Sequence, residues 1–567
     1  MKIVFKLVAL LVVVCCSSVW QNACAQKQGG FWLFGEHCAL NFSTGVPIFE
    51  TGSNTQSMFA DTEVGASSIC DSSGDLLFYT NGQTIWDKTN AVMKNGDSIM
   101  GNISSTQSSL IVPQPGCSNF YYLFTTGSYQ TLSNGLRYSV IDICENDQRG
   151  AVMSDKKNVL LQDTVAEKLC AMMDSTGNYW ILVHKLFSDS FYAYYLTVGG
   201  ITDSVVSAIG SVEARSAHAQ QNAAAAMGQM KFSPDGKHVA LVIGHQVPNV
   251  VEWYNFDQAT GRLSNYNTTT ISTQSGSAYG VEFSKNGSML YVTNGDTLMQ
   301  LNLMAGGGNI DSVNASKKII FGGDGAHVYG MLLGPDNKIY VCMGDTTLSV
   351  IQSPDSVGRT AHFEAHAVSL NNNYCYRNLP DLIAGYHYTN KIPECNLLNV
   401  SHTVVNAACT GPSGSAIEGA SGGSSPITIQ WNTDPPQTGA QATNLLPGNY
   451  VATVTGTDPC FGPITVYDTI HVGTAERVVA AADAFTPNGD GKNDIFIPEV
   501  KCSDELEYVF RIYNRWGQLL FETYDPHKGW DGSFNNKEQP VGVYVYYIEY
   551  TCGNCHDFKK GNITLLR

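Results

Sequence analysis

Along residues 67–344 one pattern recurs: an apolar stretch, a turn rich in Asp, Pro, Asn and Gly, then a more strongly apolar stretch. The instances are SSICDSSGDLLFYTNG (67–82), SLIVPQPGCSNFYYLFTTG (109–127), KLCAMMDSTGNYWILVHKL (168–186), QMKFSPDGKHVALVIGH (229–245), GVEFSKNGSMLYVTNG (280–295) and GMLLGPDNKIYVCMG (330–344). Short apolar runs bounded by turn residues read as strands, and each pair reads as a hairpin. The turns fall near positions 74, 116, 177, 236, 287 and 337. Most pairs are followed by a third apolar run: GLRYSVIDI (135–143), SFYAYYLTV (190–198), NVVEWYNFD (249–257) or TLMQLNL (297–303).

Units of this kind recurring every roughly 40–60 residues predict a β-propeller over 26–390. One antiparallel blade cannot cover both of its faces, and a ring of blades can. Six units are visible. FWLFGEHCALNFSTG (31–45) reads as strands lacking a first partner, and LPDLIAGYH (379–387) as a first strand that stops abruptly. Joining the two predicts a seventh blade, with six and eight as the alternatives. KFSPDGK and VEFSKNG resemble the strand–turn units of WD-like and YVTN-type propellers. The competing fold is a long β-sandwich or β-helix.

Residues 391–475 change character. A short linker leads into alternating strands with Gly, Pro and Ser turns, which predicts an Ig-like β-sandwich. Its pieces SGGSSPITIQW and LLPGNYVATVT resemble repeats of gliding adhesins. Residues 476–567 predict a further small β-sandwich, so the chain is expected to be all-β throughout. This last stretch carries FTPNGDGKND, NRWG, GWDG, PVGVYVY and a closing KGNITLLR, in that order. On these motifs it resembles the type B C-terminal sorting domain of the type IX secretion system, also called the gliding motility-associated C-terminal domain. The resemblance implies export across the outer membrane to the cell surface or medium, with the type IX machinery as partner. It singles out Asn514, Arg515, Trp516, Gly517, Trp530, Asp531, Gly532, Lys560 and Gly561 as motif positions. Trp516 and Trp530 are expected in the core, and Asn514 and Arg515 as the residues the machinery recognises.

The N-terminus fits export. Lys2 and Lys6 precede an apolar run, Leu7 to Val14, and Ala23-Cys24-Ala25 is a small-x-small cleavage site before Gln26. Residues 1–25 thus read as a signal peptide, cleaved between Ala25 and Gln26. The run is too short to span a bilayer, which needs about 20 residues, and no later segment is long and apolar enough, so no membrane span is expected in the mature chain.

Charged residues make up only 14% of the chain, while Gly (55) and Tyr (28) are abundant, the profile of a turn-rich extracellular β-protein. The formal charge is −17 and no basic run exists, which excludes nucleic acid and anionic lipid as partners. Of 16 cysteines, three leave with the signal peptide, so an odd number remains and at least one has no intramolecular partner. Cys409 and Cys460 flank one small module and are the expected pair.

Few motifs carry chemistry. Asn488, Asp490 and Asp494 have oxygen ligands at the spacing of a calcium loop, but Ile497 stands where its acidic residue belongs, and an Asx/Gly turn is the alternative. Cys552-Gly-Asn-Cys555-His556 matches the haem c attachment pattern, yet lies where a hairpin turn is expected, and no haem is expected there. Gly419-Ala-Ser421-Gly-Gly423 lacks the strand–turn–helix setting of a nucleophile elbow. His362 and His366 would share a face only on a helix. Trp180, Tyr192, Tyr194 and Trp253 are candidates for a sugar-stacking face, against plain blade packing. No catalytic residue is singled out and no cofactor is expected beyond calcium. The sequence thus points to a surface-delivered adhesion or ligand-binding protein, its propeller taking a glycan or protein ligand. The alternative is an extracellular polysaccharide- or peptide-processing enzyme with its site in the propeller's central pocket.

Overall fold

The computed structural model describes residues 27–567 except 51–63, 132–133, 213–222, 245–247, 274–277, 323–324, 389–394, 396–397, 408–411, 423, 459–461, 474–477, 502–505 and 553–554. The expected cleavage site at Ala25 and Gln26 and the expected pair Cys409 and Cys460 lie outside the described residues. The protein is all-β, with only short helical turns between strands. It divides into two compact units, with the boundary between Cys395 and Asn396.

The first unit holds seven small antiparallel sheets among its described residues, each made of strands consecutive in sequence. The six predicted hairpins form, beginning with Ser67–Cys70 against Leu76–Thr80 and ending with Met331–Leu333 against Ile339–Cys342. Gly74, Gly116, Gly177, Gly236, Gly287 and Asn337 at their tips all adopt positive φ. That is why Gly, or the Asn that tolerates the left-handed region, stands at each. Asp side chains tie several tips. Asp71 accepts from the amides of Ser73, Gly74 and Asp75 through one oxygen. The third strands form as expected, including Leu136–Asp142 and Asn249–Asp257.

Burial falls from first strand to last. Ser109–Pro113, Phe120–Thr126 and Ala278–Phe283 are buried at every position, so both faces of these strands are covered. The outer strands Lys318–Phe321 and Phe363–Ser369 are largely exposed. Each sheet packs on the next. Shared cores join the sheets built around Leu182 and Leu241, around Val242 and Val292, and around Tyr291 and Val341. Phe78 meets Tyr121 edge-on, and Tyr194 donates to the Leu161 carbonyl. Leu33 packs with Tyr79. The last sheet also touches the first: Trp32 lies edge-on to Tyr340 with centroids 5.4 Å apart, and Glu36 bridges to Tyr374.

One expectation fails here. Residues 379–387 form no strand and instead end in a short turn, Ala384–Tyr386. The strands Phe31–Phe34 and Cys38–Asn41 pair with each other and with Ile48–Phe49, not with a C-terminal strand. The physical reason is that Asn378 and Asp381 turn their polar groups onto the buried first strands, as described below, which a ladder strand could not do.

In the second unit, strands between Asn399 and Val472 form a three-stranded and a four-stranded sheet around a core of Ala416, Trp431, Ala442, Ala452 and Ile470. Beyond them, a five-stranded sheet carries the core of Phe485, Phe496, Phe510, Trp530, Tyr546 and Ile548. Its strand Leu506–Tyr513 alternates buried and more exposed positions, the mark of a sheet covered on one face.

Candidate functional site

Three places in the structure bear on function. The first is the C-terminal module. Trp530 is fully buried, its indole nitrogen donating to the Ser533 carbonyl. Trp516 is not in the core as expected: it is 85% exposed at the tip of the hairpin joining Leu506–Tyr513 to Leu519–Thr523. The tip leaves it no choice. Asn514 accepts from the amides of Trp516 and Gln518, and Gly517 takes φ +77°, which turns the indole outward. Asn514 is thus a turn-former, while Arg515 and Lys560 are exposed. In the sheet, the register sets Val545 beside Tyr513 and Tyr513 beside Leu519. The glycines have packing reasons. A Cβ on Gly532 would press on Leu565, and one on Gly561 would collide with the Tyr546 ring. Asp531 accepts from the Ser533 amide and hydroxyl.

The Asn488–Asp494 loop closes on itself. Asp494 accepts from the amides of Asn488, Gly489 and Gly491, which hold its carboxyl below the usual range. Asp490 accepts from Lys492, and Asn488 from Asp490. Cys552 is disulfide-bonded, which leaves it no thiol for a haem thioether.

The second place is where the buried first strands of the first unit converge. The apolar pattern of these strands does not announce it, although Lys231 and Glu282 interrupt MKFS and VEFS. Gln107 donates to the Met230 carbonyl and to Asp381, and accepts from the amides of Leu169 and Met230. Gln229 repeats the arrangement, donating to the Met331 carbonyl and Asn378 and accepting from Val281 and Met331. Asn378 donates to the Thr106 carbonyl at 2.5 Å. Glu167 accepts from Thr106 and Tyr129, and Lys168 donates to three carbonyls at Ala225, Ala226 and Met227. Lys231 lies 3.9 Å from Asp381, and both are buried. Burial pushes the Asp381 and Glu282 carboxyls up to about 7, against the pull of Lys231. Lys231, Glu282, Leu333, Ile383 and Tyr386 line a cavity here.

The third place is aromatic. Trp180, Tyr194 and Trp253 are buried in the sheets and offer no stacking face, while Tyr192 is half-buried with the Lys185 ammonium 5.9 Å from its ring centroid. The exposed aromatics are elsewhere. Tyr374 and Tyr376 are exposed with ring centroids 5.3 Å apart, on a segment fastened by the Cys342–Cys375 disulfide. Tyr376 donates to Glu36 at 3.1 Å. The guanidinium of Arg377 stands 5.7 Å above the Tyr329 ring, with exposed His327 5.9 Å from the same ring. The signal in the sequence was NYCYRN (373–378), two tyrosines on one side of a short extended run. His362 and His366 share no helix face: His366 lies in a strand, its imidazole 2.7 Å from the Thr347 hydroxyl. His184 is buried edge-on against Phe191. Ser421 ends a strand, with the next beginning at Ser424.

Residues 479–565 match the family model of the CHU_C Type IX secretion signal domain. The chain therefore carries a type IX secretion signal at its C-terminal end, which indicates export to the cell surface or medium and contact with the secretion machinery. No helix among the described residues is long and apolar enough to cross a membrane. No curated protein matches the sequence. Among solved structures, a functionally unknown protein from Desulfotomaculum acetoxidans is 14% identical, with 61% of this chain and 99% of that one covered, at a TM-score of 0.35. Hsv2 of Kluyveromyces lactis is 9% identical, with 56% and 91% covered, at a TM-score of 0.29. Likeness at this level carries no functional weight.

Proposed function

We propose that this is a surface-delivered or secreted binding protein whose first unit is a seven-bladed β-propeller and whose 399–472 module is an Ig-like spacer. The secretion-signal match over 479–565 carries the delivery half of this reading. The seven consecutive sheets, each touching the next and the last touching the first, support the propeller. The Tyr374–Tyr376 pair supports a glycan ligand, because exposed rings beside the Glu36 carboxylate and next to the exposed Arg377 suit the apolar faces and hydroxyl edges of sugars. The test is a glycan array with the mature protein and the double variant Tyr374→Ala/Tyr376→Ala. Binding that the double variant loses, with the melting temperature kept, is the expected result. Binding to no glycan, or equal binding by both proteins, overturns the ligand half of the reading.

A further inference from the structure

Three strands of the 399–472 module break their alternation at one level. Their inward positions read Val400, His402, Val404; then Ala416, Glu418, Ala420; then Val466, Asp468, Ile470. Register aligns the first two sets: Val400 opposite Ala420, His402 opposite Glu418, Val404 opposite Ala416. Ala416 and Ile470 belong to the core, with Val404 packed on it. A polar layer at positions the pattern assigns to the core is costly unless it has a use.

The layer lies at a seam. Asn399–Val405 and Gly462–Val472 are the edge strands of the two facing sheets, and they lie beside one another. One ligand-type atom from each of His402, Glu418 and Asp468 falls within 4.8 Å of the others. His402 Nδ1 is 2.6 Å from Asp468 Oδ2. Glu418 is 1% exposed, and neither of its carboxylate oxygens has a hydrogen-bond partner. The His402 and Asp468 side chains are 35% and 21% exposed, so the layer opens to solvent on one side.

We propose that His402, Glu418 and Asp468 bind a divalent transition-metal cation of the zinc class, clasping the two sheets at this seam. One imidazole nitrogen and two carboxylate oxygens suit such an ion better than calcium, which prefers six to eight oxygens. Three protein ligands leave a coordination position for water on the open side. The cation supplies the positive charge that the buried Glu418 lacks, and its entry displaces the proton between His402 and Asp468, which leaves to solvent. Side-chain rotation must bring the donors to about 2.0–2.2 Å from the ion.

The test uses the full mature protein stripped of metal by chelator. Zinc binding is measured by competition with a chromophoric chelator, and cobalt is used as a spectroscopic probe. The expected result is one equivalent bound, a visible cobalt absorption band, and a raised melting temperature. His402→Asn and Glu418→Gln should lose the band and lower zinc affinity at least tenfold. Glu418→Gln also guards against misfolding, since it removes a buried charge and should melt no lower than the metal-free parent. His471→Asn, at an exposed histidine on the same strand as Asp468, should keep one equivalent and the band. No stoichiometric binding, or binding that His402→Asn and Glu418→Gln leave intact, would overturn the proposal and reduce the layer to a proton-sharing triad.

Discussion

The two tryptophans of the C-terminal motif illustrate how one residue type serves two ends. Both sit in a Gly-containing motif, NRWG and GWDG, and sequence alone placed both in the core. What separated them was turn geometry: Asn514 and Gly517 build a tight tip that has no interior, so Trp516 points out. Trp530→Ala should therefore cost about 3–5 kcal/mol in urea unfolding, the usual cost of emptying a large aromatic site. Trp516→Ala should leave unfolding within about 0.5 kcal/mol while lowering export, because a bare indole 85% exposed at a hairpin tip is a surface for the secretion machinery to grip. Loss of stability in Trp516→Ala would contradict its exposed placement. A second residue-scale effect concerns pH. Folding raises the Asp381 and Glu282 carboxyls to about 7, above the ordinary value near 4. Between about pH 4 and 7 the folded state thus holds protons that the unfolded chain has released, and this contribution to stability falls as pH rises. Asp381→Asn removes one such group, so its stability should fall less than the parent's between pH 5 and pH 7.5. The difference should be on the order of 1–3 kcal/mol, read by urea unfolding at the two pH values.

At the scale of elements, the hairpins were legible because each depends on neighbours in sequence. An apolar run, an Asp or Ser that ties the turn, and a Gly or Asn at positive φ are all local. Residues 379–387 were illegible for the opposite reason. LPDLIAGYH has the composition of a strand, but the partners that hold this stretch, Thr106 through Asn378 and Gln107 through Asp381, lie more than 250 residues away. Gln107 and Gln229 were missed in the same way. Each precedes a run that reads as ordinary strand, and only the assembled structure shows each amide stitching two neighbouring strands to the 378–381 segment. This makes a prediction that packing alone would not. Gln107→Ala and Gln229→Ala each leave two buried backbone amides without acceptors, and should cost about 2–4 kcal/mol apiece. Having largely separate partners, the two should add in the double variant to within about 0.5 kcal/mol. Thermal or urea unfolding of the four proteins checks this. Near-neutral single variants would mean that water replaces the amides and that the convergence is looser than its hydrogen bonds imply. The His402 layer was legible in principle, since VSHTV, AIEGA and VYDTI share a polar centre with apolar flanks. Nothing in the sequence said that the three centres meet.

For the whole molecule, the delivery signal and the remainder make separable demands. The matched module folds around its own aromatic core, and the first unit has cores of its own. Removing the module should therefore abolish delivery and spare the rest. A chain ending at Ala481, expressed beside the full chain in a type IX-competent host, should remain inside the outer membrane. The full chain should appear in the medium or become sensitive to protease added to intact cells. The purified truncated chain should keep the far-ultraviolet circular dichroism of its remaining strands and the glycan binding of the Tyr374–Tyr376 surface. Equal escape of both chains would mean that something before residue 482 directs export. Retention of both would mean that the host does not read this signal, which a known exported protein in the same cells distinguishes from a failure of the host. A truncated chain that is retained but no longer binds would tie ligand binding to the C-terminal module, and the two halves of the proposed function could then no longer be treated apart.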